Sequence, residues 1–485
     1  MRIHIQFLFC ILFSLSVSKV WADSPPETSW SSDPIELSHI SSGIFLPEKA
    51  GSSYYLLQFR QSSSSDGITI HRFNSDLTPV AEKSLLNSQN KIPGRVFTWD
   101  TSIVVLYSEY SREEGTYHLM ADILNEELEE IITEKRLTFH KNPLPHRTPP
   151  EFAASMQKNR EQIAVVFPQG KNSYQLSVFD KNLNKVDSTG YIIEELEDYV
   201  PSAITFRYPD YIVTYEKDDD SETPEKLKFV KGNFQKKNSY SILDIEKDNK
   251  YATEGMIKYN PVLRSFHFGG LYYDTEIEEK NGFVHTRWDL HDENDITHFE
   301  PVPEEDFYLR RGPEAQDQNL SPFQFANLQL RSDGGIMMIL EKITEEQETR
   351  FNNSMHGMPL HSTQNYYNYQ NIIVSSFLPN GQMDWHEVIK KNQRAEHQGT
   401  RFQSFSYAYT PLELIIFYTD PSGRVPSFFI HKLQRNGERT SQILKENFTD
   451  NRKPAVTNAR QTATDEVIIP VIENGQEVYL LRLNF

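Results

Sequence analysis

Short apolar runs, rich in β-branched and aromatic residues, recur along the whole chain with polar segments between them. They occupy 54–57, 103–107, 163–167, 211–215, 266–268, 336–340, 414–418 and 467–469. Leu414-Ile415-Ile416-Phe417-Tyr418 is representative. Most have the length, composition and turn-bounded flanks of a β-strand. The runs are continuously apolar where a half-buried strand would alternate, which predicts burial on both faces, as in a sheet held between other sheets.

Several runs are followed by a second pattern: a strand ending on Phe or Leu, a polar turn carrying Asn, Asp or Gly, and another strand. The copies are Arg72-Phe73-Asn74-Ser75-Asp76-Leu77, Leu124-Asn125-Glu126-Glu127-Leu128, Phe179-Asp180-Lys181-Asn182-Leu183, Leu378-Pro379-Asn380-Gly381 and Leu433-Gln434-Arg435-Asn436-Gly437. Asn, Asp and Gly suit such turns because they tolerate positive φ. Residues 122–136 also carry Leu124, Leu128, Ile131 and Ile132 at helical spacing. Alignment with the other copies favours strand-turn-strand there. The units are spaced roughly 50 to 80 residues apart, longer than compact propeller repeats. The excess falls in polar insertions at 216–227, 274–280 and 344–365. Strand-rich repeats that cannot bury both faces alone predict an all-β fold, a single β-propeller of about seven or eight blades spanning 36–485.

The last residues alternate Tyr479, Leu481, Leu483 and Phe485. Such an ending also occurs in outer-membrane barrels. A barrel wall, however, needs roughly ten-residue alternating segments with one polar face, which most of these strands lack. The expectation is a C-terminal strand that closes the ring by pairing with N-terminal chain, leaving no exposed edge.

The N-terminus reads as a secretory signal over 1–22, followed by a linker at 23–35. Arg2 is the positive flank, Phe7-Leu8-Phe9-Cys10-Ile11-Leu12-Phe13 the short apolar region, and Val20-Trp21-Ala22 the cleavage motif before Asp23. The apolar stretch is about half of the roughly 20 residues that a membrane helix needs, and no longer one follows. Cys10 lies inside the apolar run, which argues against a lipid anchor. It is also the only cysteine, so the mature chain offers no disulfide, thiolate metal site or cysteine nucleophile. With 49 Lys+Arg against 68 Asp+Glu the formal net charge is -19, the wrong sign for a nucleic-acid partner. A large exported chain without disulfides points to a bacterial protein, periplasmic, outer-membrane-associated or extracellular.

A run of features in the C-terminal half carries a family likeness. Ser332-Asp333-Gly334-Gly335 through Glu341 is followed by Asn365-Tyr366-Tyr367-Asn368, Ile372-Ile373-Val374, Asn380-Gly381, Trp385, Ile389-Lys390-Lys391-Asn392-Gln393 and Ser404-Phe405. Upstream stands Phe268-Gly269-Gly270-Leu271-Tyr272-Tyr273. This order resembles uncharacterised secreted propeller-like proteins common in the Bacteroidota. It is visible over about 255–445 and departs at Tyr369-Gln370, where a shorter join is expected, and at the 344–364 insertion. The resemblance implies an exported Gram-negative β-protein and brings no reaction with it.

Candidate chemistry is sparse. Asp289, Asp292 and Asp295 offer hard oxygen ligands for calcium. Their loop lacks the glycine and distal Glu of an EF-hand, so a solvated acidic loop is the preferred reading and no metal or other cofactor is expected. His285, His291, His298, His356 and His361 lack metalloprotease spacing. No nucleophile elbow, phosphate loop or dinucleotide fingerprint occurs, and no catalytic residue is singled out. Tyr366, Tyr367 and Tyr369 are candidate binding rings for sugar or protein, against the alternative that they enter the next strand and pack there. The resulting expectation is a non-enzymatic binding or scaffolding propeller, a monomer or part of a complex, with an envelope protein or glycan as partner. The alternatives are an envelope glycan hydrolase and an outer-membrane β-barrel.

Overall fold

The computed structural model describes residues 25–36, 44–60, 67–86, 88, 90–141, 149–157, 162–217, 224–236, 239–290, 295–302, 320, 322–353, 359–396, 402–420, 426–444, 448–449 and 451–485. The signal segment therefore lies outside the described residues. Among them the fold is all-β, with strands joined by tight turns and two short 3₁₀ turns.

The strands divide into eight antiparallel sheets. Sheet A holds Ile44–Ala50, Ser53–Arg60, Gly67–Phe73 and Pro79–Leu85. Sheet B holds Lys91–Trp99, Ser102–Ser111, Thr116–Leu124 and Glu130–Phe139. Sheet C holds Ala153–Met156, Gln162–Gly170, Ser173–Asp180 and Lys185–Ile192. Sheet D holds Tyr199–Arg207, Asp210–Lys217, Lys228–Asn233 and Tyr240–Leu243. Sheet E holds Glu246–Lys247, Lys250–Asn260, Ser265–Asp274, Glu279–Asp289 and Ile296–Pro301. Sheet F holds Phe323–Leu330, Ile336–Asn353, Pro359–Phe377 and Met383–Ile389, with Gln393–Glu396 added along Pro359–Phe377. Sheet G holds Ser406–Tyr409, Glu413–Asp420, Ser427–Gln434 and Arg439–Leu444. In sheet H, Glu466–Glu473 carries Arg452–Pro454 and Arg460–Ala463 on one side and Glu477–Asn484 on the other.

The first and last described strands meet in sheet H. Glu27–Trp30 pairs antiparallel with Glu477–Asn484, Glu27 opposite Asn484 and Trp30 opposite Leu481, and Ile35–Glu36 pairs farther along the same strand. The stretch read as linker thus contributes two strands. Ser31 Oγ accepts from Leu480 N, and Arg482 Nε donates to Ser29 Oγ at 2.8 Å.

Each of the eight apolar runs lies in an interior strand of a different sheet, paired on both edges. Their side chains leave alternately to two cores. In sheet G, Leu414, Ile416 and Tyr418 pack with Ile339, Ile372 and Val374 of sheet F, whereas Ile415 and Phe417 pack with Val467, Ile469 and Leu481 of sheet H. In sheet C, Ile163, Val165 and Phe167 join the core shared with sheet B, and Ala164 and Val166 the one shared with sheet D. Further cores join A with B, D with E and E with F. The remaining one joins Ile468, Val478 and Leu480 of sheet H to Tyr54, Leu56 and Phe73 of sheet A. This is the physical origin of the uninterrupted apolar runs: both faces of each interior strand leave water. A barrel wall is one continuous sheet; the separate sheets and two-sided cores exclude the outer-membrane barrel as the architecture of the described residues.

The repeated turn pattern is a single hairpin geometry. In each copy the turn's first residue donates its N–H four residues on and accepts through its carbonyl from the fourth residue. Asn74 N bonds Thr78 O at 3.0 Å and Leu77 N bonds Asn74 O at 3.0 Å; the same pairs recur at Asn125, Asp180, Leu378 and Gln434. The fourth residue is left-handed every time: Leu77 (φ 59°), Leu128 (φ 66°), Leu183 (φ 56°), Gly381 (φ 89°) and Gly437 (φ 82°). Leucine is a strained choice there, since its Cβ crowds the carbonyl. The three leucines are all buried, and they anchor the turn in the cores of sheets A to C. Side-chain acceptors reinforce the turns: Asp180 Oδ1 takes both Asn182 N and Asn184 N. Residues 122–136 adopt this geometry, not a helix.

Where glycine replaces leucine, the room goes to a neighbour. A Cβ on Gly437 would meet Trp385 Cδ2 at 2.9 Å, and Trp385 Nε1 donates to Arg435 O at 2.8 Å. Gly437→Ala is therefore expected to cost about 1–2 kcal/mol, combining left-handed strain with a displaced indole. A urea melt checks it, and the drop should shrink in a Trp385→Leu background.

Within the polar insertion, 344–353 and 359–365 are regular structure: Ile336–Asn353 and Pro359–Phe377 extend past the sheet as a paired arm, Glu345 opposite Tyr367 and Asn353 opposite Pro359. The register slips between Glu341 and Ile343, where Gln370 and Asn371 oppose Lys342 alone. This bulge lies at the join where the sequence departs from its resemblance.

Candidate functional site

Strand ends and turns at one edge of sheets C to G converge on one cavity of about 750 Å³. Its walls are 155–157, 205–207, 257–262, 329–333 and 409–414, with 433–435 from a second hairpin of sheet G. Five consecutive sheets thus supply one edge each. The turns are fixed by proline and by internal hydrogen bonds: Asn260 Oδ1 accepts from Val262 N at 2.9 Å before the left-handed Arg264, and Thr410 Oγ1 accepts from Glu413 N at 3.1 Å.

The lining mixes three chemistries. Val262 and Leu412, at hairpin tips, are 78% and 73% exposed, and both are aliphatic. Arg207, Lys258, Arg331 and Arg435 supply four cations against two carboxylates, Asp333 and Glu413. Arg331 is fixed, donating to Asp333 Oδ2 at 2.6 Å, to Asp384 Oδ2 at 2.5 Å and to Ser376 Oγ at 2.6 Å. Burial works to raise the Asp333 carboxyl, but the bonds from Arg331 and from Gly335 N hold it below the usual range. Arg435 Nη2 donates to Pro411 O at 3.1 Å. Arg207 and Arg435 are exposed and have no ion-pair partner among the described residues.

A second, smaller cavity of about 300 Å³ is lined by residues of sheets F, G and H, including Glu341 and Ser404. Beneath it sits a buried polar network. Lys391 Nζ donates to Glu341 Oε1 and, at 2.8 Å, to Gln393 Oε1. Ser404 Oγ donates to Glu341 Oε2 and Ser404 N to Gln393 Oε1 at 2.8 Å, while Gln393 Nε2 donates to Thr419 O. Burial pulls the Lys391 ammonium down to about 8 and pushes the Glu341 carboxyl up, each opposed by the other's charge. Every polar atom of Glu341 and Gln393 is thereby occupied, which makes the network a clamp between sheets F and G.

The residues singled out from sequence lie elsewhere. Tyr366 is buried under the Arg394 guanidinium, 4.0 Å from its ring centroid. Tyr369 lies 5.6 Å from Lys391 Nζ, and burial pushes its hydroxyl up to about 12. Tyr367 opposes Ala395 on the added strand Gln393–Glu396. None of the three lines the large cavity. Asp289 pairs with Arg287 at 3.2 Å and burial raises the Asp295 carboxyl, while Asp292 lies outside the described residues. Among the described residues, no three metal-ligating side chains gather. His291 and His356 also lie outside them. His285 stacks on His267, with His267 Nδ1 and His285 Nε2 3.2 Å apart, and His298 meets Glu300 at 2.8 Å.

No family model matches the chain, and no curated protein does. Solved structures do overlap with it. One is the β-propeller domain of the Trilobed protease from Pyrococcus furiosus, 8% identical over 85% of this chain and 96% of that one, with a TM-score of 0.36. The polysaccharide lyase Uly1 overlaps at 11% identity, 82% and 91% coverage and a TM-score of 0.38. The uncharacterized protein lmo1340 from Listeria monocytogenes EGD-e does so at 10% identity, 80% and 94% coverage and a TM-score of 0.36.

No cavity residue was singled out as a site from the sequence, because each is an ordinary strand-end or turn residue and only the packing of the sheets brings them together. The usable signal was proline: Pro209, Pro261 and Pro411 each stand two to five residues before an apolar run and mark the hairpins whose tips converge.

Proposed function

We propose that the eight sheets are the blades of one closed β-propeller and that the protein is an exported, non-enzymatic binding module whose ligand seats in the 750 Å³ cavity. Closure is supported by the succession of shared cores, which runs from sheet A to sheet H and back to A, and by the pairing of both chain ends in sheet H. Export is supported by the Arg2-flanked apolar segment and the Val20-Trp21-Ala22 motif. The observation that carries the binding reading is the convergence of strand ends and turns from five sheets on one concave site with mixed apolar and charged lining.

A glycan hydrolase is the second reading, because Asp333 and Glu413 line the same cavity and sugar hydrolysis takes a pair of carboxyl groups. Asp333 is poorly suited to the acid role, since Arg331 and Gly335 stabilise its ionised form. Affinity purification of the full chain from its native envelope distinguishes the two. Wild type should retain a defined partner that Ser155→Trp, which puts an indole on the cavity wall, loses without a change in melting temperature. Equal retention by the variant, or turnover of an envelope glycan by the wild type, overturns the binding reading.

A further inference from the structure

We infer that the mouth of the large cavity takes an extended acidic peptide segment of a partner protein, one that alternates carboxylates with aliphatic side chains. This rests on the reading of the cavity as a ligand site and adds the chemistry of the ligand.

The first ground is a local inversion of charge. Acidic residues outnumber basic ones 68 to 49 over the whole chain, yet cations outnumber carboxylates four to two around this cavity. Asp333 is already held by Arg331, so Arg207 and Arg435 stand as exposed guanidinium groups without a carboxylate among the described residues. A guanidinium presents several donors in a planar fork that matches a carboxylate. Concentrated in a cleft of an otherwise acidic molecule, such groups focus a positive potential there and steer an anion to it.

The second ground is the character of the apolar surface. Val262 and Leu412 are among the most exposed large apolar residues, and they stand on turns of sheets E and G, on either side of the sheet F turn that carries Arg331 and Asp333. Three rings, Phe206, Tyr259 and Tyr409, also line the cavity, but none is exposed; the exposed apolar groups at the mouth are branched aliphatics, suited to aliphatic side chains more than to the flat face of a sugar. A peptide satisfies both demands, because alternate side chains of an extended strand point to opposite sides.

The test uses a random peptide array and an array of uronate oligosaccharides, both probed with the labelled full chain. Peptides retained by the wild type should be enriched in Asp or Glu together with Leu, Ile or Val. Their binding should fall at least about tenfold in Arg207→Glu/Arg435→Glu, and similarly on raising salt from about 50 mM to about 500 mM. Val262→Asp/Leu412→Asp, again at exposed positions, should give the same loss by a second route. Peptides with no acidic enrichment, or acidic peptides that bind the charge-reversed chain undiminished, overturn the inference. Uronate binding that Ser155→Trp abolishes would replace the peptide with a glycan and leave the cavity reading standing. If Ser155→Trp alters binding on neither array, both fall.

Discussion

Lowering the pH from about 7 to about 5 is expected to remove roughly 5 kcal/mol of folding stability, through three buried histidines. His267 and His285 are 0% and 2% exposed, and His431 is buried between Tyr418 and Ser441. Burial lowers His267 to about 4, with Arg287 adding to the shift and Asp289 opposing it. Burial lowers His285 to about 3, helped by His267, Arg287 and His298, and lowers His431 to about 4, helped by Arg439. All three remain neutral in the folded chain at pH 5, whereas an unfolded histidine titrates near 6.5. The unfolded state therefore binds more protons, and stability falls as the pH drops below that value, at roughly 2 kcal/mol per histidine by pH 5. Urea midpoints at the two pH values measure the loss, and His431→Asn should reduce it by about a third. Equal midpoints at both would show that the imidazoles are not sequestered as described.

The second large effect concerns the clamp between sheets F and G. Lys391→Met should destabilise the protein by about 3–5 kcal/mol, because it leaves the buried Glu341 carboxylate with only Ser404 to meet it. Adding Glu341→Leu should recover most of that loss, since a buried ion pair costs nearly as much in lost hydration as it returns in attraction. The double-mutant cycle separates the pair's coupling from simple packing. Loss below about 1 kcal/mol for Lys391→Met alone would mean that water reaches the pair.

The architecture was largely legible because it rests on local pattern. All eight apolar runs are interior strands, and their unbroken character followed from two-sided burial, as Leu414 to Tyr418 shows by alternating between two cores. The hairpins were legible where Asn, Asp or Gly marked them, but not the use of left-handed leucines. Leu77, Leu128 and Leu183 take that conformation because a core receives them, and no local propensity encodes that. The arm formed by 344–353 and 359–365 was hidden by its polarity, since its strands pair with each other. The site was least legible. Arg207 and Arg435 are 228 positions apart in sequence, and only the packing of successive sheets brings their turns to one cavity. The tyrosines drew notice as a cluster of rings, yet Tyr366 and Tyr369 are covered by Arg394 and Lys391.

The seam in sheet H bears on how the molecule responds to force. Glu27 lies opposite Asn484, so tension applied at the two termini loads one rung of the ladder at a time, the easy unzipping direction, instead of shearing all the rungs together. If either end is fixed to a surface or fused to a cargo and the other is pulled, Glu27–Trp30 should peel first at low load, baring the Glu477–Asn484 edge while the other seven sheets stay folded.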